Sequence, residues 1–245
     1  MPELAPKRWF ATTPEWQQAV AAWRGIRDAP APENRARSEG IRVLENHFLE
    51  RYVATSHWIM PAVWFVPVIA VCLWSAGAHH GLSGSAIAVG LVVGLAGWTL
   101  VEYVLHRFVF HFPAGDVGWL RTVMFAMHGY HHEFPNDPHR LVAPPILSWP
   151  IGAALGLGYW AAFGSYWQPL FAGTLCGYLV YDWMHYYTHH AVPRSRFGRF
   201  MRRFHFEHHY RDASAQFGLS SPIWDAVFGS WERRQPREAG SVRRS

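Results

Sequence analysis

Residues 82–111 read LSGSAIAVGLVVGLAGWTLVEYVLHRFVFH. From Leu82 to Leu105 the run is apolar, and its length suits one crossing of a bilayer, for which about 20 residues are needed. It closes on His106 and His111, so a membrane helix delivers two imidazoles at one of its ends.

Three more apolar segments flank it, Trp58 to Ala76, Pro144 to Tyr166 and Trp167 to Tyr187. The last two are nearly continuous, and their combined length is that of two crossings joined by a tight turn near Ser165 to Pro169; one buried helical hairpin is the alternative. The expected architecture is all-α: an integral membrane protein with four transmembrane helices in two hairpins. A cytoplasmic helical cap would carry a His-rich dinuclear metal site.

The near-zero mean hydropathy of the 245-residue chain hides this, because it averages an apolar middle against two Arg-rich ends. Between Tyr52 and Pro193 only Arg107, Arg121 and Arg140 are basic, whereas Lys7 and seven Arg from Arg8 to Arg51 precede the first span. The loop from Gly77 to Gly81 holds no Lys or Arg, so the positive-inside rule puts both termini and the His clusters on the cytoplasmic side. A net charge of +5 beside apolar spans suits anionic headgroups rather than nucleic acid, and no nucleic-acid partner is expected. Cys72 and Cys176 fall inside apolar stretches and read as small buried hydrophobes. No secretory signal is expected, because the first long apolar segment begins near Trp58 and lacks a cleavage pattern.

Residues 1–57 form a cytoplasmic N-terminal segment in this reading, 58–231 the transmembrane and catalytic unit, and 232–245 a disordered basic tail. In the first, Ile41, Leu44, Phe48, Leu49 and Tyr52 make a stripe at helical spacing, as an interfacial or an ordinary packing helix would.

Of the 16 His, eleven lie in four clusters: HRFVFH (His106, His111), HGYHH (His128, His131, His132), HYYTHH (His185, His189, His190) and HFEHH (His205, His208, His209). On a helix, offsets of three and four turn through roughly 300° and 400°, so each HxxHH triple shares a face, as do His185 and His189. Imidazoles in such numbers are ligands for redox metals or zinc, and their count exceeds one coordination sphere. Two metal ions are expected. His106 and His111 stand roughly 140° apart on an ideal helix and converge only if it ends between them, which Pro113 favours. His190 is rotated off the His185 face and reads as a hydrogen-bonded neighbour, and His47, His57, His79, His80 and His139 read as ordinary polar residues. Glu102, Asp182 and Glu207 are candidates to orient imidazoles by accepting their second ring N–H, or are solvated charges.

These clusters, in their order and spacing with the apolar spans, resemble the fatty acid hydroxylase superfamily and, within it, the fatty acid 2-hydroxylases. HHEFPNDPHRLVAPP (131–145) and FGLSSPIWDAVFGS (217–230) are similar to their loop after the second cluster and their C-terminal signature. The resemblance covers about 98–231. It implies ten metal ligands, His106, His111, His128, His131, His132, His185, His189, His205, His208 and His209, acting through two iron ions, for which zinc can substitute in purified protein, with O2 as co-substrate. The implied reaction is hydroxylation of a fatty-acyl chain at the 2-position, on the N-acyl chain of a sphingolipid or on a fatty acid. Several members carry a haem-binding cytochrome b5 domain with a His-Pro-Gly-Gly motif, and residues 1–57 hold none, so electrons are expected from a separate ferredoxin or cytochrome b5 with its reductase. A carotenoid or sterol oxygenase of the same superfamily is the rival reading. A membrane metal transporter is another, but it would set ligands near mid-bilayer rather than at the ends of spans.

Overall fold

The computed structural model describes residues 9–26, 37 and 39–231, so the tail from 232 lies outside the described residues. Helix α1 (Pro14–Ala22) starts where the Thr13 side chain accepts the Trp16 N–H, and α2 (His47–Leu49) where Asn46 accepts from Phe48 and Leu49. Then come α3 (Met60–Ala78), α4 (Gly84–Val104), α5 (Gly118–Met124), α6 (Pro145–Phe163), α7 (Trp167–His190), α8 (Arg196–Tyr210) and α9 (Ile223–Val227). Among the described residues there is no strand, only an isolated bridge between Thr12 and Leu44.

Three segments are long and apolar enough to cross a membrane, Met60–Ala78, Gly84–Phe110 and Pro145–His190. Their middles stay apolar and bare: Val89, Val92 and Val93 on α4 and Leu157 and Trp160 on α6 are exposed, which water would not tolerate over such an area but lipid does. The 46-residue third segment is broken at Gly164, whose φ of 52° belongs to the left-handed region where glycine is at ease. Past this break α7 runs back along α6, with the Tyr159 and Thr174 hydroxyls 2.7 Å apart.

α4 and α7 share the most extensive helix contact, and glycines make it possible. A Cβ on Gly94 would lie 2.0 Å from the Leu170 carbonyl oxygen, and one on Gly173 would lie 2.1 Å from that of Leu91. The two tight turns sit together, since Gln168 Nε2 donates to Ser75 Oγ at 2.9 Å and Pro169 touches Gly90. The His-bearing ends of α4 and α7 are therefore gathered at the opposite end. Cys72 is buried, Cys176 half-buried, and both are free thiols.

The apolar stripe at residues 41–52 is not one helix. Helical structure begins only at His47, and Leu44 is buried in extended chain while Phe48 and Tyr52 are exposed. A carboxylate overrides the periodicity: buried Glu50 accepts the backbone N–H groups of Val43 and Leu44, which an uninterrupted helix would have used internally.

Candidate metal centre

α4 does not end between His106 and His111 as expected; it widens. Over Leu105–Phe110 the backbone becomes a π-helix, and the His111 N–H donates to the His106 carbonyl five residues back, at 3.2 Å. The wider turn brings residues five apart onto one face, so both imidazoles aim at one point. α5 does the same over Phe125–Gly129, just before the α-helical turn Tyr130–Glu133.

The ten histidines gather into two groups of five: His106, His111, His128, His132 and His208, and His131, His185, His189, His205 and His209. Within each, the ring nitrogens all lie within 4.8 Å of one another, and every one of the ten except half-buried His111 is buried. In the first group His106 Nε2 is 3.0 Å from His128 Nε2, and His132 Nε2 is 3.1 Å from it; in the second His131 Nε2 is 3.0 Å from His209 Nε2 and 2.9 Å from His185 Nε2. Nitrogens held at right angles on bonds of ~2.1 Å to a metal would be about 3.0 Å apart. Each group therefore has the spacing of a coordination sphere.

The two HxxHH triples do not converge as units. In each, the outer pair at offset four serves one group and the histidine at offset three serves the other: His128 and His132 against His131, and His205 and His209 against His208. The groups adjoin, with the His132 and His209 rings stacked 4.2 Å apart. His190 is exposed, packs on the Tyr186 ring and joins neither group. Nor does His47, His57, His79, His80 or His139.

For His106 and His208 a backbone carbonyl, not one of the candidate carboxylates, sets the tautomer. His106 Nδ1 donates to Phe217 O at 2.5 Å and His208 Nδ1 to Ala215 O at 2.6 Å, so both present a bare Nε2. His208 Nε2 has no hydrogen-bond partner among the described residues and is fully buried, an orphaned lone pair that a cation would satisfy. Burial also pushes the imidazoles of His128, His131, His132, His205, His208 and His209 well below their ordinary range, His208 to about 4, which keeps them neutral and able to bind a metal.

Two of the candidate carboxylates, Glu102 and Glu207, act one step further out. Glu102 accepts the Leu219 and Ser220 N–H groups at 2.5 and 2.9 Å, and Glu207 accepts Gln216 Nε2 at 3.0 Å. Asp225, which the histidine count could not reveal, accepts the Phe217 and Gly218 N–H groups at 2.8 and 2.7 Å and the Ser230 hydroxyl at 2.7 Å. Glu102 and Asp225 thus stretch the loop whose carbonyls hold His106 and His208. The only hint in the sequence is the quoted string 217–230, whose Asp225 sits among apolar residues. Asp225→Asn would turn an N–H toward a backbone N–H; metal affinity is expected to fall about 10–100-fold with helicity kept, as losses of outer-sphere support do, and chelator competition would measure it.

An apolar cavity of about 320 Å³ opens beside the centre. His128, His131 and His185 stand at one end and Leu155, Thr174 and Leu175 line the other. The Arg140 guanidinium pairs with Glu50 and with Asp137 (3.0 Å), while Tyr130 donates to Asp137 (2.7 Å) and accepts the Ile41 N–H (3.1 Å), so the N-terminal segment is pinned over the head of the cavity.

Lipid-facing helices converging on paired imidazole groups next to an apolar cavity place the molecule in the class of membrane metal-dependent oxidoreductases that act on lipid chains. The model of the family described as fatty acid hydroxylase matches residues 91–230. Dihydroceramide fatty acyl 2-hydroxylase of Arabidopsis thaliana is 37% identical over 200 residues, covering 80% of this chain and 81% of that protein. Ceramide very long chain fatty acid hydroxylase of Saccharomyces cerevisiae is 36% identical across 79% of this chain, which spans 50% of that longer protein. A solved structure of full-length scs7p, in which only the hydroxylase domain is visible, superposes with a TM-score of 0.72 at 34% identity, over 80% of this chain and 74% of that one. The chain belongs to the fatty acid hydroxylase family.

Proposed function

We propose that this protein hydroxylates a fatty-acyl chain at its 2-position, on a sphingolipid N-acyl group or a fatty acid, with two iron ions, O2 and electrons supplied by another protein. The observation that carries the reading is the pair of five-imidazole groups at the head of an apolar cavity enclosed by membrane-length helices. His106, His111, His128, His132 and His208 would hold one ion, and His131, His185, His189, His205 and His209 the other. Iron supplies the redox capacity that an unactivated C–H bond demands and that no side chain offers, while zinc can occupy the same imidazoles without that capacity. The balance is one oxygen atom entering the C–H bond and the other leaving as water, with two electrons and two protons taken up.

The chain's own residues supply position. The cavity wall is mostly apolar, with Leu147, Ile151, Leu155 and Leu175 among its lining residues, so an acyl tail lies in it. Its carbonyl end remains at the polar head near Tyr130 and Arg140, which sets the carbon beside the carbonyl against the imidazole groups.

Four crossings in two hairpins agree with the break at Gly164, and the Arg-rich flanks then put both termini and the site on the cytoplasmic face. Residues 58–231 act as the catalytic unit, behind the N-terminal segment 1–57 and ahead of the basic tail 232–245.

Two measurements test this. Lipid mass spectrometry of expressing cells should show a 2-hydroxyacyl lipid that is absent with His128→Ala; oxygen at mid-chain or on a sterol or carotenoid would refute it. Metal analysis of the purified protein should approach two ions per chain, and one ion with full activity would sink the dinuclear assignment.

A further inference from the structure

The helix that carries three of the ten imidazoles is also the most sharply two-sided among the described residues. The inner face of α8 holds Met201, Phe204, His205, His208 and His209, all buried. On an ideal helix Arg196 and Arg203 stand roughly 180° and 160° around from His205, and Arg199, at offsets three and four from them, completes one outer stripe. All three are exposed, as is Arg194 just before the helix, and none of the four has an ion-pair partner among the described residues. Arg199 bonds only to the Arg194 carbonyl. Glu207, four residues after Arg203, accepts from Gln216 Nε2, and one carboxylate leaves the three-arginine row with a net positive charge. Exposed Phe197 flanks the stripe, about 100° around from Arg196 on an ideal helix.

Three guanidinium groups along one helix face, without an ion-pair partner among the described residues, make a positive stripe that a partner outside the fold can read. We propose that this face of α8 is the docking surface for an acidic one-electron carrier protein, an iron–sulfur or haem protein with a carboxylate-rich face. Charge complementarity selects such a partner and speeds its encounter, and a small charged patch suits a brief redox contact. Position supplies the second reason. From the outer arginines to the ligating imidazoles is one helix diameter, ~10–12 Å, so a carrier seated here delivers electrons across a single helix that itself ends in metal ligands. The inference rests on the hydroxylase reading, since only a reaction that draws electrons from outside needs such a surface.

The test uses the full chain in nanodiscs of neutral phosphatidylcholine, with an acidic [2Fe–2S] ferredoxin as probe. Binding to the unaltered protein should weaken steeply with added salt. The triple variant Arg196→Glu, Arg199→Glu, Arg203→Glu should bind at least ~10-fold more weakly at low salt, and the triple Arg→Lys variant should keep most of the affinity, since charge rather than fork geometry steers the encounter. Unchanged helicity and metal content would exclude misfolding. Absence of binding by the unaltered protein, or equal binding by the Glu variant, overturns the proposal. So does a Glu variant whose only change is a weaker preference for phosphatidylserine nanodiscs, which would assign the arginines to lipid headgroups. Turnover with dithionite and a viologen mediator bypasses the surface and should be unaltered in the Glu variant. If even the unaltered protein forms no hydroxylated lipid with that reductant, the hydroxylase reading fails, while the binding comparison still decides the docking surface.

Discussion

His131→Ala is expected to abolish hydroxylation and to strip metal from the second group. The His131 ring centroid lies within 4.8 Å of those of His185, His189 and His209, three of the four other members of its group. Removing it leaves four neutral imidazoles around a hole, and the loss of activity should exceed the ~10–100-fold typical of losing an outer-sphere partner. Metal content should fall from two ions toward one. His190→Ala is the internal control, because that side chain is exposed and lies in neither group; it should keep most of the activity. Equal loss from both variants, measured as product per folded protein, would mean that the five-and-five division is not the working arrangement.

Gly173→Leu is expected to prevent the fold altogether. Adding one methylene to a packed core costs about 1–3 kcal/mol when side chains can yield, but here the new Cβ meets the Leu91 carbonyl oxygen at 2.1 Å and the Leu95 nitrogen at 2.8 Å, which are backbone atoms. α4 and α7 would have to separate, and the ends that carry His106 and His185 would separate with them. Gly158→Ala provides the contrast, since a Cβ there has nothing within 4 Å among the described residues. Recovery of monodisperse protein after extraction should collapse for Gly173→Leu and match the parent for Gly158→Ala. Equal recovery would show that the two helices do not need their close approach.

Much of this was legible in the sequence, because helix periodicity and bilayer length are strong constraints on apolar runs. The spans were placed to within a few residues of the helices α3, α4, α6 and α7, and all ten histidines of the two groups were singled out from their spacing and family resemblance. Their partition was not legible. Spacing alone makes an HxxHH triple look like one unit, whereas its members diverge to two centres once a second helix faces it. The π-turn at Leu105–Phe110 was also hidden: HRFVFH is compatible with a helix end or a widened turn, and only the packing of His106 against the 215–217 loop selects between them. The roles of Glu102 and Asp225 were missed because their partners are backbone N–H groups, up to 118 residues away in the chain and carrying no residue-type signal.

The division of each triple has a consequence for how the centre fills. α8 contributes His208 to one group and His205 and His209 to the other, and the His128, His131 and His132 triple that follows α5 is shared in the mirror sense. An ion entering either group therefore fixes the rotation of two helices that the other group also needs. The ordering cost falls on the first ion, and the second finds its imidazoles already aligned, which is positive cooperativity arising from shared rigidity. Loading should accordingly pass from empty to doubly filled chains with little singly filled species between them, and native mass spectrometry during a metal titration would display the missing intermediate directly.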